Sequence, residues 1–208
     1  MKKLTSLLAL LLFILGSSYG QEEWDIEETE NGSITVKSRI TKQKDENDET
    51  FQLVEYEVST QAEVSYEKCI QLIKDVSMHT QFLDYTEVSE RVKYISENQW
   101  VIYYYFDAPW PMPNSDGVIL IEFRENAEKS NAVFVGEATP DLYEMKDVER
   151  TMLNDIRYEF TKVERGLVEI RIISKFSPTT MAPNWLANTY FPGGPTRMVN
   201  KIIALAKR

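Results

Sequence analysis

QWVIYYYFDAPWPMPNSDGVILIEF, residues Gln99–Phe123, reads as two strands joined by a proline-rich corner. Trp100–Phe106 is an unbroken run of aromatic and β-branched residues, which favours a strand of ordinary length. The prolines at 109, 111 and 113 lack amide donors and exclude a central strand there, and Val118–Phe123 resumes the strand pattern. Both strands are apolar on both faces. They must therefore be covered on both sides or line a cavity.

The segments around this stretch group strands apart from helices. Period-2 alternation over Ser33–Ile40 and Thr50–Thr60 predicts an antiparallel pair of strands. The remaining predicted elements are helices at Glu63–Val76 and Ser77–Leu83, strands at Val88–Tyr94, Asn131–Glu137, Arg150–Lys162 and Leu167–Phe176, and a helix at Pro183–Asn188 that resumes at Thr196–Lys207. This order predicts an α+β fold in which the C-terminal helix covers one face of a long antiparallel sheet.

The first twenty residues predict a secretory signal peptide. Lys2 and Lys3 precede an apolar run, Leu4–Leu15, and small residues lead up to Gly20. Twelve apolar residues are too few to span a bilayer as a helix. We expect cleavage near Gly20, a single domain over residues 21–208, and export to the periplasm or the extracellular space. An uncleaved N-terminal anchor is the alternative.

The charge of the predicted mature chain limits its partners. Without Lys2 and Lys3, 21 basic and 33 acidic side chains remain, a formal charge of −12. Such a surface repels nucleic acid and anionic lipid headgroups at long range. We therefore expect no nucleic-acid partner, and a transient membrane contact would need a local apolar patch.

The sequence offers little for catalysis. Cys69 and His79 are the only cysteine and histidine, so a multi-histidine metal site is excluded and no cofactor or metal is expected. Cys69 lies in a helical pattern and is interpreted as a buried, unreactive thiol. His79 is interpreted as a structural or surface residue. No nucleophile elbow, zincin motif or phosphate-binding glycine loop is present.

The acidic segment Glu22–Glu30 carries Trp24 and Ile26. We interpret it as a short helix that docks Trp24 on the domain. Asn31-Gly32 follows as a strong turn dipeptide, so the segment should end there.

A second turn precedes the opening stretch. Glu97-Asn98 would reverse the chain so that Ile95 pairs with Trp100. In antiparallel geometry, this pairing places four side chains on one face: Tyr94, Val101, Tyr103 and Tyr105.

Three sets of residues resemble the START domain of the helix-grip superfamily. They are the aromatic strand Trp100–Tyr105, the corner Ala108-Pro109-Trp110-Pro111 with Asp116, and the C-terminal segment Ala182–Asn188 with Phe191-Pro192 and Gly194-Pro195. The resemblance covers roughly Trp24 to Arg208. It implies a curved antiparallel sheet that grips the C-terminal helix, with a hydrophobic tunnel between them for a lipid, a sterol or another apolar molecule.

One position departs from the family pattern. Ser115 precedes Asp116 where the family usually has an arginine, which is commonly a polar group in or beside the tunnel. The departure puts in doubt any recognition of a charged headgroup.

The resemblance favours a cavity over a filled core made of the same residues. The predicted lining is Tyr103, Tyr105, Trp110, Ile119, Ile121, Phe123, Ile156, Tyr158, Ile170, Ile172, Trp185, Leu186, Met198 and Ile202. Trp110 could equally be a plug that fixes the corner. The loop Ala138–Val148, with Tyr143 and Met145, is either a mobile lid or a plain surface loop. Gly193-Gly194 is either a hinge or a rigid kink.

These patterns favour a monomeric, non-catalytic protein that binds or carries a lipid or other hydrophobic small molecule in the tunnel. The alternative is a cyclase- or aromatase-like enzyme that acts on an aromatic or polycyclic substrate in the same cavity. A module with a closed core and no ligand is the third reading.

Overall fold

The computed structural model describes residues 23–29 and 31–207. The predicted signal peptide, residues 1–20, lies outside the described residues. The strands are β1 (Asp25–Thr29), β2 (Ile34–Lys44), β3 (Thr50–Glu63), β4 (Thr86–Ser96), β5 (Gln99–Phe106), β6 (Ser115–Glu125), β7 (Asn131–Ala138), β8 (Glu149–Arg150), β9 (Asn154–Glu164) and β10 (Leu167–Phe176). The helices are α1 (Tyr66–Lys74), α2 (His79–Phe82), α3 (Asn184–Tyr190) and α4 (Gly193–Ala206).

All ten strands form one sheet, in the order β1-β2-β3-β10-β9-β7-β6-β5-β4, and β8 pairs with β6. Every pairing is antiparallel except the short parallel contact of β8 with β6. Strands are grouped apart from helices, and α4 ends the described chain. The predicted α+β helix-grip architecture is therefore confirmed. Among the described residues, no helix is long and apolar enough to cross a bilayer.

The last hairpin, β9 and β10, turns its apolar side chains to one face. Ile170 pairs with Phe160 and Ile172 with Tyr158 across β10 and β9, and all four side chains are buried. Gly166 forms the turn at a φ of +81°, a conformation that glycine adopts without steric cost.

Helix α4 covers part of one face of the sheet, which we call the inner face; the opposite face is the outer face. Val199 and Ile202 are fully buried at the inner face, in one core with Cys69 and Ile73 of α1. Ser65 is the N-cap of helix α1. Its hydroxyl accepts from the amide of Lys68, which satisfies one of the free amides at the N-terminus of the helix.

The segment before Asn31-Gly32 is a strand, not the expected short helix. Residues Asp25–Thr29 pair with β2, and Thr29 lies opposite Ile34. Both Asn31 and Gly32 have positive φ, 57° and 84°, as a tight hairpin turn requires. This turn places residues 25–29 alongside β2, so they pair as a strand instead of forming a helix. Trp24 is 38% exposed and stacks under Arg39 at 4.6 Å.

The hairpin of β4 and β5 differs from the expected pairing. Tyr94, rather than Ile95, pairs with Trp100, because a bulge follows Tyr94. An extra residue in one strand changes which side chains share a face. Tyr94 therefore lies opposite Trp100 and not on the face of Val101.

Candidate functional site

A cavity of about 330 Å³ lies between the inner face of the sheet and helices α3 and α4. Most of its wall is aliphatic or aromatic. The sheet contributes Ile40, Gln52, Val54, Tyr56, Thr86, Tyr104, Phe106, Ser115, Ile119, Asn154, Ile156, Tyr158, Ser174 and Phe176, and the helices contribute Leu186, Ala187, Thr189, Tyr190, Arg197 and Met198. This part of the inner face therefore encloses a cavity rather than a filled core.

Gly136 allows the apolar wall to close. A Cβ at this position would lie 2.8–2.9 Å from side-chain atoms of Ile121, Ile119 and Ile156, closer than carbon atoms pack. The absent side chain lets Ile119 and Ile156, which both line the cavity, approach each other across β7.

Three tyrosines of the wall, Tyr56, Tyr158 and Tyr190, are neutral hydrogen-bonding groups. Burial raises the pKa of Tyr56 to about 12, although a hydrogen bond with Ser174 acts in the opposite direction. Burial also raises the pKa of Tyr158 and Tyr190 well above the usual value. Their hydroxyls therefore stay protonated at neutral pH and cannot supply a charge to the cavity.

His79 supports the cavity wall from behind. It is fully buried, and its Nε2 lies 2.9 Å from the carbonyl oxygen of Ile73. Because a carbonyl only accepts, Nε2 carries the proton, and Nδ1 accepts from the hydroxyl of Tyr104 at 2.7 Å. Burial lowers the pKa of His79 to about 4, although the bond to Ile73 acts the other way. His79 is thus a structural, neutral residue, as the sequence suggests.

The ionised groups of the cavity lie in one cluster, in which a single carboxylate contacts two basic side chains. Asp84 and Arg197 both line it, and Oδ2 of Asp84 is 2.8 Å from Nη2 of Arg197. The other oxygen, Oδ1, is 2.7 Å from Nζ of Lys201. The Arg197 side chain is half exposed, so this ion-pair cluster lies at the solvent side of the cavity.

A buried ion pair occupies the opposite face of β6. Asp116 and Arg150 form a bidentate contact with two distances of 2.8 Å, and both side chains are almost completely inaccessible. Arg150 also donates to the carbonyl oxygens of Pro140, Tyr143 and Glu144. This ion pair therefore fixes the loop 138–148 against the outer face of the sheet.

The loop 138–148 does not border the cavity. The Tyr143 ring packs on Tyr103 with 5.1 Å between ring centroids, on the side of the sheet away from the cavity, and Met145 is 67% exposed. The loop is therefore not a mobile lid of the cavity. It is a fixed cover on the outer face of the sheet.

Five of the residues expected in the lining lie at the cavity wall: Ile119, Ile156, Tyr158, Leu186 and Met198. Five others share the inner side of the fold but belong to the packed core: Ile121, Phe123, Ile170, Ile172 and Ile202. The helices α1 and α4 cover this second group, so it does not reach the cavity.

Four expected lining residues lie away from the cavity. Tyr103 packs with Val101 and Val118 on the outer face, and Tyr105 borders the same cluster. Successive side chains of a strand point to opposite faces, so assigning the wrong face misplaces both tyrosines together. Trp110 and Trp185 are 86% and 56% exposed, which makes Trp110 neither a wall residue nor a buried plug.

The sequence did not predict the polar residues of the cavity wall. Thr86, Ser174 and Gln52 are buried at the cavity, but short polar residues within strands are typical of a wet face. One signal was visible in the sequence: Ser115, at the position where the family pattern has an arginine, does line the cavity.

Hydrogen bonds to Gln52 attach the segment before α3 to β3. The amide of Ala182 donates to Oε1 of Gln52 at 2.9 Å, Nε2 of Gln52 donates to the carbonyl oxygen of Ala182 at 3.4 Å, and Gln52 is only 3% exposed. The junction of α3 and α4 is more rigid, because a Cβ at Gly194 would overlap the ring of Tyr190. Gly193-Gly194 forms the first turn of α4 and is a rigid kink rather than a hinge. The helix begins there rather than at Thr196.

Solved structures of several proteins are similar to this one. The STAR-related lipid transfer protein from Xanthomonas axonopodis (fragment 25–204) matches with a TM-score of 0.73 and 18% identity, over 89% of this chain and 99% of that chain. Human StAR-related lipid transfer protein 5 matches with 0.71 and 13%, over 91% and 88%. The Zhui aromatase/cyclase from Streptomyces sp. R1128 matches with 0.51 and 8%, over 75% and 94%. No protein-family model and no curated protein sequence matches the chain.

At these identities, the similarity establishes the fold. The chain has a START-like helix-grip fold, with an apolar cavity between sheet and C-terminal helices. Among the described residues, no group of histidine, cysteine and acidic side chains could hold a metal ion.

Acidification should destabilise the protein through His79. Its pKa is about 4 in the folded state against about 6.5 in an unfolded chain, so the unfolded state binds more protons between these values. The contribution of neutral His79 is fully present above pH 6.5 and is lost as the pH falls toward 4. Between pH 7 and pH 5, we expect the free energy of unfolding in urea to fall by about 2 kcal/mol more in the wild type than in His79→Gln. An equal fall in both proteins would contradict a buried, neutral His79.

Proposed function

We propose that this protein binds one lipid or other apolar small molecule in the cavity and does not catalyse a reaction on it. The observation that carries the proposal is the mainly apolar wall around about 330 Å³. Ligand cavities span about 300–1,000 Å³, so this one is small. A compact or single-chain molecule suits it better than a lipid with two acyl chains.

The affinity would come from moving apolar surface out of water. Each methylene group that leaves water for the cavity contributes roughly 0.8 kcal/mol. Ile119, Ile156 and Met198 supply the apolar contacts, and Tyr104 and Tyr158 supply flat aromatic surface. Such a cavity would sequester or carry its ligand.

The structural neighbours support this general kind of function. Two of the similar structures are named as lipid transfer proteins. The aromatase/cyclase fits the alternative of an enzyme in the same cavity. The wall favours binding over catalysis, because its tyrosines have raised pKa values whereas a general acid or base works best with a pKa near the operating pH.

The ligand would enter beside α3. This helix has seven residues, and the strand-to-helix segment before it is attached through Gln52 and Ala182. Displacing α3 exposes the wall at Leu186 and Ala187 while α4 stays in the core.

An apolar rim would bring the cavity to a membrane. We define the apolar rim as Trp110, Met152, Met181 and Trp185, whose exposures range from 48% to 86%. Each is the sequence neighbour of a cavity-lining residue: Pro109, Thr151, Ala182 and Leu186. Because the chain is acidic, this contact would rely on apolar insertion into uncharged lipid. In this proposal the protein acts as an exported monomer, in the periplasm or outside the cell.

Filling the cavity should abolish ligand uptake. Ala187→Trp places a large side chain at the wall, and we expect it to lower the uptake of a fluorescent fatty acid or sterol at least about tenfold, the effect of losing about 1.4 kcal/mol. Ala204→Trp is the matched control, since Ala204 is exposed on α4 and does not line the cavity. Equal uptake by both variants would rule out this cavity as the binding site.

Removing the rim tryptophans should weaken membrane contact. We expect Trp110→Ser combined with Trp185→Ser to lower co-sedimentation with phosphatidylcholine vesicles about tenfold or more, because each indole loses apolar burial in the lipid. Tyr94→Ser is the control, because Tyr94 is 61% exposed at the far end of the β4–β5 hairpin. Unchanged co-sedimentation of the double variant would remove the rim from the proposal.

A further inference from the structure

One basic side chain borders the cavity. Among the cavity-lining residues of the described chain, Arg197 is the one with a positive charge. Its neighbour on α4, Met198, lines the cavity as well and is buried, whereas the side chain of Arg197 is half exposed. The boundary between the apolar interior of the cavity and the solvent therefore lies between these two side chains.

The cluster that contains Arg197 has an excess of positive charge. Asp84 contacts Arg197 through one carboxylate oxygen and Lys201 through the other. Because Arg197 and Lys201 are four residues apart on α4, they lie on the same side of the helix. The side chain of Asp84 is only 12% exposed, so its charge needs both partners. One carboxylate against two basic groups leaves a formal charge of +1.

The guanidinium of Arg197 has room for a second carboxylate. Its Nε and Nη2 lie 3.0 and 2.8 Å from the same oxygen of Asp84. A guanidinium has five N–H donors, and a single oxygen on one edge cannot occupy all of them. The other end, Nη1, lies beside Gly193, where a Cβ would be only 3.1 Å away. The missing side chain of Gly193 leaves space around that end of the group.

The acidity of the whole chain does not cancel this local charge. Exposed charges that are farther apart than about 8 Å are largely screened at physiological salt. The contacts within the cluster are 2.7 and 2.8 Å. For a head group that touches Arg197, the nearby excess of positive charge therefore outweighs the distant carboxylates of the surface.

We propose that the ligand is a single-chain amphiphile with a carboxylate head, which binds Arg197 at the solvent side of the cavity. Its chain lies along the apolar wall, beyond Met198. The bound head balances the cluster, because two carboxylates then face Arg197 and Lys201. This inference rests on the proposed function, since it names the class of ligand for the same cavity.

Equilibrium dialysis of the full chain with radiolabelled dodecanoate and dodecan-1-ol at pH 7.5 tests the inference. The two probes have the same chain length, and only dodecanoate is charged. We expect Arg197→Gln to lower the affinity for dodecanoate about three- to tenfold, the effect of losing one partly exposed ion pair. The affinity for dodecan-1-ol should not change, which also shows that the variant is folded.

Asp84→Asn should have the opposite effect. It removes the carboxylate that competes for Arg197 and keeps the size of the side chain. We expect this variant to bind dodecanoate about three- to tenfold more tightly than the wild type does, with no change for dodecan-1-ol. A misfolded variant would not gain affinity.

Arg165→Gln is the matched control. Arg165 is exposed at the turn between β9 and β10 and does not line the cavity. This variant makes the same change of charge as Arg197→Gln, so it reports the effect of net charge alone. It should bind both probes as the wild type does.

The outcomes separate this inference from the proposed function. Dodecan-1-ol binding without dodecanoate binding, equal effects of Arg197→Gln on both probes, or no gain in Asp84→Asn would overturn the carboxylate site and leave cavity binding intact. An equal loss of dodecanoate affinity in Arg165→Gln would also overturn it. Absence of binding of both probes to the wild type would overturn cavity binding and this inference together.

Discussion

A strand is more than twice as long as a helix with the same number of residues. This difference in length leaves room for the cavity. Strand β3 has 14 residues and spans about 48 Å at about 3.4 Å per residue. Helix α4 also has 14 residues but spans about 21 Å at about 1.5 Å per residue. The helix therefore packs tightly on only part of the inner face, where Val199 and Ile202 are fully buried. Short α3 and the adjoining loops cover the remainder, which encloses the cavity.

The two faces of the sheet use polar groups differently. On the outer face, Asp116 and Arg150 neutralise each other and hold a loop in place. Removing either partner would leave a buried charge, which is strongly destabilising. On the inner face, hydroxyl groups and an apolar wall surround the cavity, and the ions Asp84 and Arg197 pair at its solvent side. Ser115 stands where the family pattern has an arginine. This composition suits binding of an apolar molecule.

Apolar periodicity predicts the final hairpin and the C-terminal helix because those elements have one buried and one wetter face. Trp100–Phe106 has no such alternation, since both faces of β5 are buried, and the sequence alone does not say which face meets the cavity. The assignment of Tyr103 and Tyr105 fails for this reason. Asp116 within an apolar strand requires a buried cation, but the sequence does not identify Arg150.

The central claim is that the cavity holds a lipid or other apolar small molecule. Native mass spectrometry of the full chain, expressed with its own N-terminus and purified without detergent, tests it most directly. The account predicts a complex of one protein chain with one small molecule, which organic extraction releases as a lipid-like compound, and predicts that the Ala187→Trp variant carries none. Protein of unliganded mass alone, with no uptake of any added lipid or sterol, would contradict it.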